Sequence, residues 1–372
     1  MIREAALWEP RPDGRILCNV CAQYCKIAPG QRGVCNTREH RGGRLWTLTY
    51  GTVASVAVDP IEKKPFHHFY PGSRVFSMAS LSCSYRCAHC HNASISFARV
   101  GFEGGEAVGI VPEGVAREEG APVVHSREIP PEEAVALCGR YGADGMAWTY
   151  NEPTITVEYA RDCAALAKER GLYTCFVTNG TFTPESQTYI SPVLDAANVD
   201  TKAFTEAFYR KICGGRLEPV LETCERIRKE GRVHLEVTYL VIPGQNDDTR
   251  ELRDYCAWVA RSLGTDTPVH FSRFIPYGWT PMDYPTPVAT LERAYGIAKR
   301  AGLEFVYVGN LPGHDTESTR CPDCGELLIE RRGYRTKKRM AGRSCPACGR
   351  GIPMVDSGAP PEGREPPAPV AH

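Results

Sequence analysis

Two periodicities alternate along most of the chain. Short apolar and β-branched runs at 75–81, 145–150, 172–178, 196–201, 233–241, 268–274 and 304–308 read as strands. Between them, the 3.6-residue pattern predicts helices over 131–141, 154–170, 216–230, 248–263 and 288–301. Cys175-Phe176-Val177 and Leu235-Glu236-Val237-Thr238-Tyr239-Leu240-Val241 are rich in apolar and β-branched residues, as parallel strands buried on both faces are. Repeated strand–helix units predict an α/β fold with a parallel sheet, open or curled into a barrel. About six units are present, fewer than the eight of a closed barrel, so a partial (β/α)6 barrel over 74–314 is expected.

Three segments break this rhythm, besides an N-terminal module over 1–73. In that module Leu45 to Val58 predicts a β-hairpin with Gly51 at its turn. Residues 100–125, rich in Gly, Glu and Val, read as a lid or mobile insertion. Residues 315–355 hold a compact cysteine module. The Pro-rich stretch 356–372 is expected to be disordered. No repeat of fixed period is visible.

Composition narrows the class. At 372 residues and 42% hydrophobic, the chain can bury a sizeable core. Lys+Arg and Asp+Glu both number 44, so the chain as a whole is not a basic nucleic-acid binder. No apolar run reaches the ~18 residues of a membrane span, and Met1 to Trp8 lacks a secretory apolar region. A soluble, cytoplasmic protein is expected. Of 17 cysteines, eleven form three groups: Cys18/Cys21/Cys25/Cys35, Cys83/Cys87/Cys90 and Cys321/Cys324/Cys345/Cys348. In a reducing compartment, clustered thiols point to metal. The remaining six (Cys138, Cys163, Cys175, Cys213, Cys224, Cys256) sit mostly in apolar stretches and read as small core side chains.

The central group, Cys83-Ser84-Tyr85-Arg86-Cys87-Ala88-His89-Cys90, has the spacing C-x3-C-x2-C directly after a predicted strand. It therefore lies where α/β folds place active sites. Three thiolates can hold three irons of a [4Fe–4S] cluster and leave the fourth open to a ligand. The plainer reading is a zinc knuckle that lacks its fourth ligand or takes it from His91, or a chance spacing.

This loop resembles the signature of the radical S-adenosylmethionine (SAM) superfamily. The resemblance implies a cluster on Cys83, Cys87 and Cys90 whose open iron is chelated by SAM. An electron then cleaves the sulfonium, giving a 5′-deoxyadenosyl radical that abstracts hydrogen. It implies an external one-electron donor of flavodoxin or ferredoxin type. It also places His89 beside the adenine. Trp148-Thr149-Tyr150-Asn151-Glu152-Pro153-Thr154 matches the superfamily's Gly-Gly-Glu-Pro at Glu152 and Pro153, so Glu152 is expected to accept from the SAM ammonium; a helix start with Pro in its first turn explains the same residues. Val177-Thr178-Asn179-Gly180 is similar to the family's Thr-Asn-Gly. Asp200-Thr201-Lys202 resembles the Asp-x-Lys of pyruvate formate-lyase activating enzymes, which implies Asp200 on the ribose and Lys202 on the SAM carboxylate. Relatives commonly carry histidine where Ile275 stands. Either Arg273 or His270 replaces it, or SAM is held differently.

A closer likeness, over about 15–355, is to the radical SAM member of the AmmeMemoRadiSam system. It rests on the N-terminal cysteines with Pro29-Gly30 and Gly33, on Asp59-Pro60-Ile61-Glu62-Lys63-Lys64-Pro65, His68-Phe69-Tyr70-Pro71-Gly72, Gly309-Asn310, Pro312-Gly313-His314 and the C-terminal cysteine pairs. It implies Memo-like and AMMECR-type partner proteins. Cys321-Pro322-Asp323-Cys324-Gly325 and Cys345-Pro346-Ala347-Cys348-Gly349 form two knuckles expected to bind zinc. Arg331, Arg332, Arg335, Lys337, Lys338, Arg339 and Arg343 make the intervening hairpin basic, a solvated face or a surface for nucleic acid or an acidic partner. Cys18, Cys21, Cys25 and Cys35 read as a zinc site or an auxiliary iron–sulfur cluster.

Gly104-Gly105-Glu106 sits off any strand end and reads as a decoy. Gly214-Gly215-Arg216 reads as a plain helix start, His67 and His68 as structural, and Tyr150 as a candidate relay. A radical SAM enzyme is the leading expectation. The alternatives are a glycyl-radical-enzyme activase, and a ribbon that binds RNA or protein beside a silent barrel.

Overall fold

The computed structural model describes residues 1–115, 123–277 and 280–356. Its centre is an eight-stranded sheet. Strand β1 (Ser55–Pro60) runs antiparallel to β2 (Arg74–Ala79). From β2 onward every pair is parallel: β3 (Gly145–Trp148), β4 (Tyr173–Thr178), β5 (Ala196–Asp200), β6 (His234–Val241), β7 (Val269–Arg273) and β8 (Val306–Gly309). Spatial order follows chain order without a reversal. Right-handed crossovers then put every connecting helix on one face, the winding that curls a sheet toward a barrel. Among the described residues β8 does not pair with β1 or β2, so the sheet is open.

All seven parallel strands lie where the apolar runs place them. The helices follow: α1 (Pro131–Arg140), α2 (Val157–Glu169), α3 (Pro184–Ile190), α4 (Glu218–Glu230), α5 (Thr249–Trp258) and α6 (Val288–Arg300). Helix α3 was not expected. Its local signal is Thr183-Pro184-Glu185-Ser186, in which Thr183 and Ser186 cap each other reciprocally. The six scattered cysteines are all buried.

The hairpin expected over Leu45 to Val58 is corrected. Arg44–Thr47 pairs instead with Arg38–Arg41, through a turn at Gly42 and Gly43, both at positive φ, which a two-residue hairpin requires. Residues of β1 pair forward with β2. Gly51 does turn the chain, at φ +72°, but its carbonyl receives Ile129 N–H at 2.8 Å rather than closing a hairpin.

Within 100–125, Arg99–Glu103 and Glu106–Ile110 form a hairpin turning at Gly104-Gly105, and Val123–Val124 extends it. It packs on the N-terminal part: Arg32 Nη1 donates to Val100 O (2.7 Å), and Val100 N–H to Asn36 Oδ1 (2.9 Å). The remainder of the expected lid, 116–122, and 357–372 of the expected disordered tail lie outside the described residues. Arg38 anchors the N-terminal part to α2 by a buried pair with Glu158 (Nη2–Oε2 2.6 Å).

The segment 65–70 closes the N-terminal end of the sheet. Glu236, wholly buried on β6, accepts from the backbone N–H of His67 and His68 and from the rings of His234 and His270. Arg331 is not part of an exposed basic face. It is 3% exposed and donates to His67 O, Glu317 O and Thr319 Oγ1, fastening the C-terminal strands under the sheet. No helix among the described residues is long and apolar enough to cross a membrane.

Candidate functional site

The loop after β2 carries Cys83, Cys87 and Cys90, and it is held by backbone contacts on all sides. Arg86 N–H and Ala88 N–H donate to Cys213 O (2.9 Å) and Ile212 O (2.8 Å). The Arg86 guanidinium gathers the carbonyls of Cys83, Tyr85 and Ser96 at 2.8–3.1 Å. Asn151 Nδ2 spans the carbonyls of Ser80 and Ser82 (2.8 and 2.6 Å). The Tyr85 ring rests on Gly215, where a Cβ would stand 2.2 Å from it, so Gly215 admits the tyrosine that buttresses the loop.

Glu152, Asn179, Asp200 and Lys202 converge on this loop from the ends of β3, β4 and β5. Asn179 Nδ2 donates to Ser84 Oγ at 3.0 Å. Glu152 is 2% exposed and accepts from Thr154 N–H (2.9 Å), the Thr154 hydroxyl, Thr178 Oγ1 (2.8 Å) and Asn179 N–H (2.7 Å). Every one of these donors is neutral. Burial pushes its pKa up, and the donors hold it back only in part. Glu152 thus starts its helical turn, as the plain reading has it, and is also a buried carboxylate lacking a cation.

Lys202 Nζ lies 2.7 Å from Asp200 Oδ2, on the face that strand alternation assigns to both. Burial opposes the Lys202 charge, but Asp200 and the sulfurs of Cys87 and Cys213 outweigh it and hold the ammonium well above its ordinary pKa. Asp200 Oδ1 is buried without a hydrogen-bond partner. His89, 5% exposed, keeps a buried Nδ1 without a partner; burial and then Lys202 press its pKa far down, so the ring is neutral.

Among the described residues, the C-terminal group alone has its sulfurs within 4.8 Å of one another. The triplet does not suit a single small ion, whereas a cubane, with separate irons for each cysteine, suits sulfurs farther apart. A buried anion without a cation (Glu152), an unfilled acceptor (Asp200 Oδ1) and an unfilled imidazole nitrogen (His89 Nδ1) surround it. That set matches a zwitterionic nucleoside better than solvent.

Some neighbours were not foreseen. Cys213 is buried near Cys87, and together with burial it pushes the Cys87 thiol's pKa well up. Its apolar surroundings in sequence gave no hint of that. At Ile275, His270 is no substitute. It is the second residue of β7, far from the strand's C-terminal end, and its Nε2 meets Glu236 at 2.6 Å. Arg273 Nε donates to Thr286 O (2.9 Å). His91 reaches the spot instead, with Nε2 3.1 Å from Ile275 O. Tyr150, at φ +70°, donates to Asp59 Oδ2 (2.8 Å), beside a buried Lys64 at 2.7 Å from the same carboxylate.

In the C-terminal group Cys321–Cys348 and Cys324–Cys345 sulfurs are 3.6 Å apart, close to the roughly 3.8 Å edge of a tetrahedron built on ~2.3 Å metal–sulfur bonds. A metal fits there. Cys18, Cys21, Cys25 and Cys35 line a shared cavity. Burial pushes the Cys18 thiol up to about 12.

A three-cysteine loop and its convergent polar groups at the C-terminal edge of a singly wound parallel sheet define a class of cofactor-dependent enzyme. The chain belongs to the radical SAM superfamily, whose model matches residues 79–256. That family implies a [4Fe–4S] cluster and SAM. The chain is 40% identical to the uncharacterized protein MJ0808 of Methanocaldococcus jannaschii over 358 residues, covering 95% of this chain and all of that one. It is 23% identical to the pyruvate formate-lyase 1-activating enzyme of Escherichia coli strain K12 over 251 residues, 64% of this chain and 93% of the relative. Among solved structures, a radical SAM methyltransferase from Sphaerobacter thermophilus aligns with a TM-score of 0.48 and 15% identity, over 70% of this chain and 71% of that one.

Proposed function

We propose that the chain binds SAM at the triplet loop and cleaves it reductively to abstract hydrogen from a substrate. When bound, the cluster supplies one electron to the SAM sulfonium, and SAM supplies the hydrogen-abstracting radical. Cys83, Cys87 and Cys90 hold the cluster. Glu152 accepts the SAM ammonium, which gives its buried charge a counterion. Lys202 takes the SAM carboxylate, Asp200 the ribose hydroxyls, and His89 and Asn179 flank the nucleoside. Burial of this set keeps water from the reacting atoms. The observation that carries the reading is Glu152, wholly enclosed, ringed by neutral donors and adjacent to the triplet.

The reading includes an external low-potential donor of flavodoxin or ferredoxin type. By family likeness it also includes Memo-like and AMMECR-type partners. Zinc is assigned to Cys321, Cys324, Cys345 and Cys348 on the spacing of their sulfurs. The test is anaerobic reconstitution, reduction and addition of SAM. 5′-Deoxyadenosine should form, and a Cys87→Ala variant should form none. A fully loaded, reduced protein that leaves SAM intact sinks the proposal.

A further inference from the structure

We propose that Cys18, Cys21, Cys25 and Cys35 hold a second iron–sulfur cluster, of the [4Fe–4S] type, beside the triplet loop. This goes beyond the SAM reading and does not depend on it.

All four cysteines line one cavity. Two of the sulfurs already have hydrogen-bonding neighbours, as thiolate ligands do: Val34 N–H donates to Cys25 Sγ (3.4 Å), and Thr37 Oγ1 is 3.1 Å from Cys35 Sγ. Arg38 lines the same cavity and is 1% exposed. Its Nη atoms bind Glu158 and Ile155 O, while its Nε has no partner. A buried N–H with nothing to donate to costs stability until an acceptor arrives. An anionic metal–sulfur group in this cavity is such an acceptor.

Both a zinc tetrathiolate and a cubane cluster are anionic, so charge does not choose between them. Sulfur spacing does. The C-terminal four close to within 4.8 Å of one another, as four ligands of one ion must. Among the described residues, Cys18, Cys21, Cys25 and Cys35 do not, although they share a cavity. Four sulfurs that share a cavity but are not gathered for one ion suit a cube with an iron at each of four corners. The triplet, which the family assigns to a cluster, shows the same wider spacing.

The position fits as well. Gln23, between Cys21 and Cys25, donates to Ser84 O (3.0 Å) and Gly214 O (3.1 Å), and Ala22 N–H donates to Thr181 O (2.9 Å). Ser84 directly follows Cys83. The two cysteine loops are therefore joined by a direct hydrogen bond.

The test is iron, sulfide and zinc analysis of the full chain, reconstituted anaerobically, with Cys83→Ala, Cys87→Ala and Cys90→Ala combined. About four irons and four sulfides should remain with one zinc. The dithionite-reduced sample should give an EPR signal that added SAM leaves unchanged. An iron-free variant with two zincs overturns the proposal. Should that variant not fold, the unaltered chain still decides: about eight irons support the second cluster, and about four irons with two zincs overturn it. In the converse variant, Cys18→Ala with Cys21→Ala, half the iron should go while a SAM-sensitive signal stays; full retention of iron overturns the assignment. A chain that holds eight irons but never cleaves SAM leaves this site intact and removes only the function proposed above.

Discussion

Glu152 and Glu236 are both carboxylates enclosed at opposite ends of one sheet, and they titrate in opposite directions. Glu236 sits at the N-terminal end among two histidine rings and two backbone N–H groups. Burial alone would raise its pKa, but those partners outweigh burial and pull it well below the ordinary range. Glu152 sits at the C-terminal end among hydroxyls and amides, and its pKa is raised. Glu236 is held by donors that outweigh its burial, and Glu152 is not. A buried charge left without a countercharge is expensive, so its persistence marks the end of the sheet where a ligand is expected. Charge content alone would not separate the two ends.

The sharpest way to break this comparison is to remove the satisfied charge. Glu236→Ala strands two imidazoles and two backbone donors, and each buried donor left without an acceptor costs about 1–3 kcal/mol, so a loss of about 4 kcal/mol or more is expected. Urea unfolding should show that loss, with Glu236→Gln intermediate. A Glu236→Ala protein within about 1 kcal/mol of the parent would mean that the N-terminal cluster is not a structural anchor.

The same end should set the acid limit. His68 is buried as a neutral ring, which burial depresses from 6.5 to about 4, and burial pushes His67 further the same way. The unfolded chain therefore takes up protons below about pH 6.5 that the folded chain refuses. Stability is fully present above that pH and falls as pH drops toward 4. His68 alone accounts for on the order of 3 kcal/mol, at ~1.4 kcal/mol per pH unit. Glu236, with its folded pKa below the unfolded value, adds loss below about pH 4.5. His68→Gln should flatten the slope between pH 6.5 and 4; an unchanged slope there would contradict the burial argument.

Glu152→Gln tests the other end. The glutamine oxygen can still accept from Thr154 N–H and the threonine hydroxyls, but its NH2 then faces Asn179 N–H, so stability should fall by about 1–3 kcal/mol. SAM affinity, measured by calorimetry on reconstituted protein, should fall about 10–100-fold, the worth of a charge-assisted hydrogen bond at ~1.5–3 kcal/mol. A large loss of stability with SAM affinity unchanged would reverse the assignment of the two ends.

Much of this was legible in sequence, for identifiable reasons. The parallel strands are continuous apolar runs bounded by polar residues, a signal local to each strand. The triplet, Glu152, Asn179, Asp200 and Lys202 each fall at a strand end, so one regular winding brings them together. What failed was partner choice. Whether Ser55–Pro60 folds back on Leu45 or forward onto Arg74 is decided by the sheet, not by the segment. Arg331 looked like one charge in a basic run, and only the docking of the C-terminal strands buries it. Cys213 looked like core, which it is, but the neighbour that matters is 126 positions away in Cys87. His270 could have been excluded by counting along its strand: its position near the start puts it at the wrong end.

The smallest effect is the most specific. Because burial raises the Glu152 pKa above the ordinary 4.5, the free protein holds this proton into a range where other carboxylates have lost theirs. An ammonium is bound only by the ionised form. SAM affinity should therefore weaken as pH falls through that raised pKa, approaching tenfold per pH unit below it, and the binding should release a proton. Calorimetry in two buffers of different ionisation enthalpy reads that proton directly. Glu152→Gln cannot ionise, so its weaker binding should lose both the proton release and the slope. If the slope survives in Glu152→Gln, another group carries it, and Glu152 is then only the cap of its helical turn.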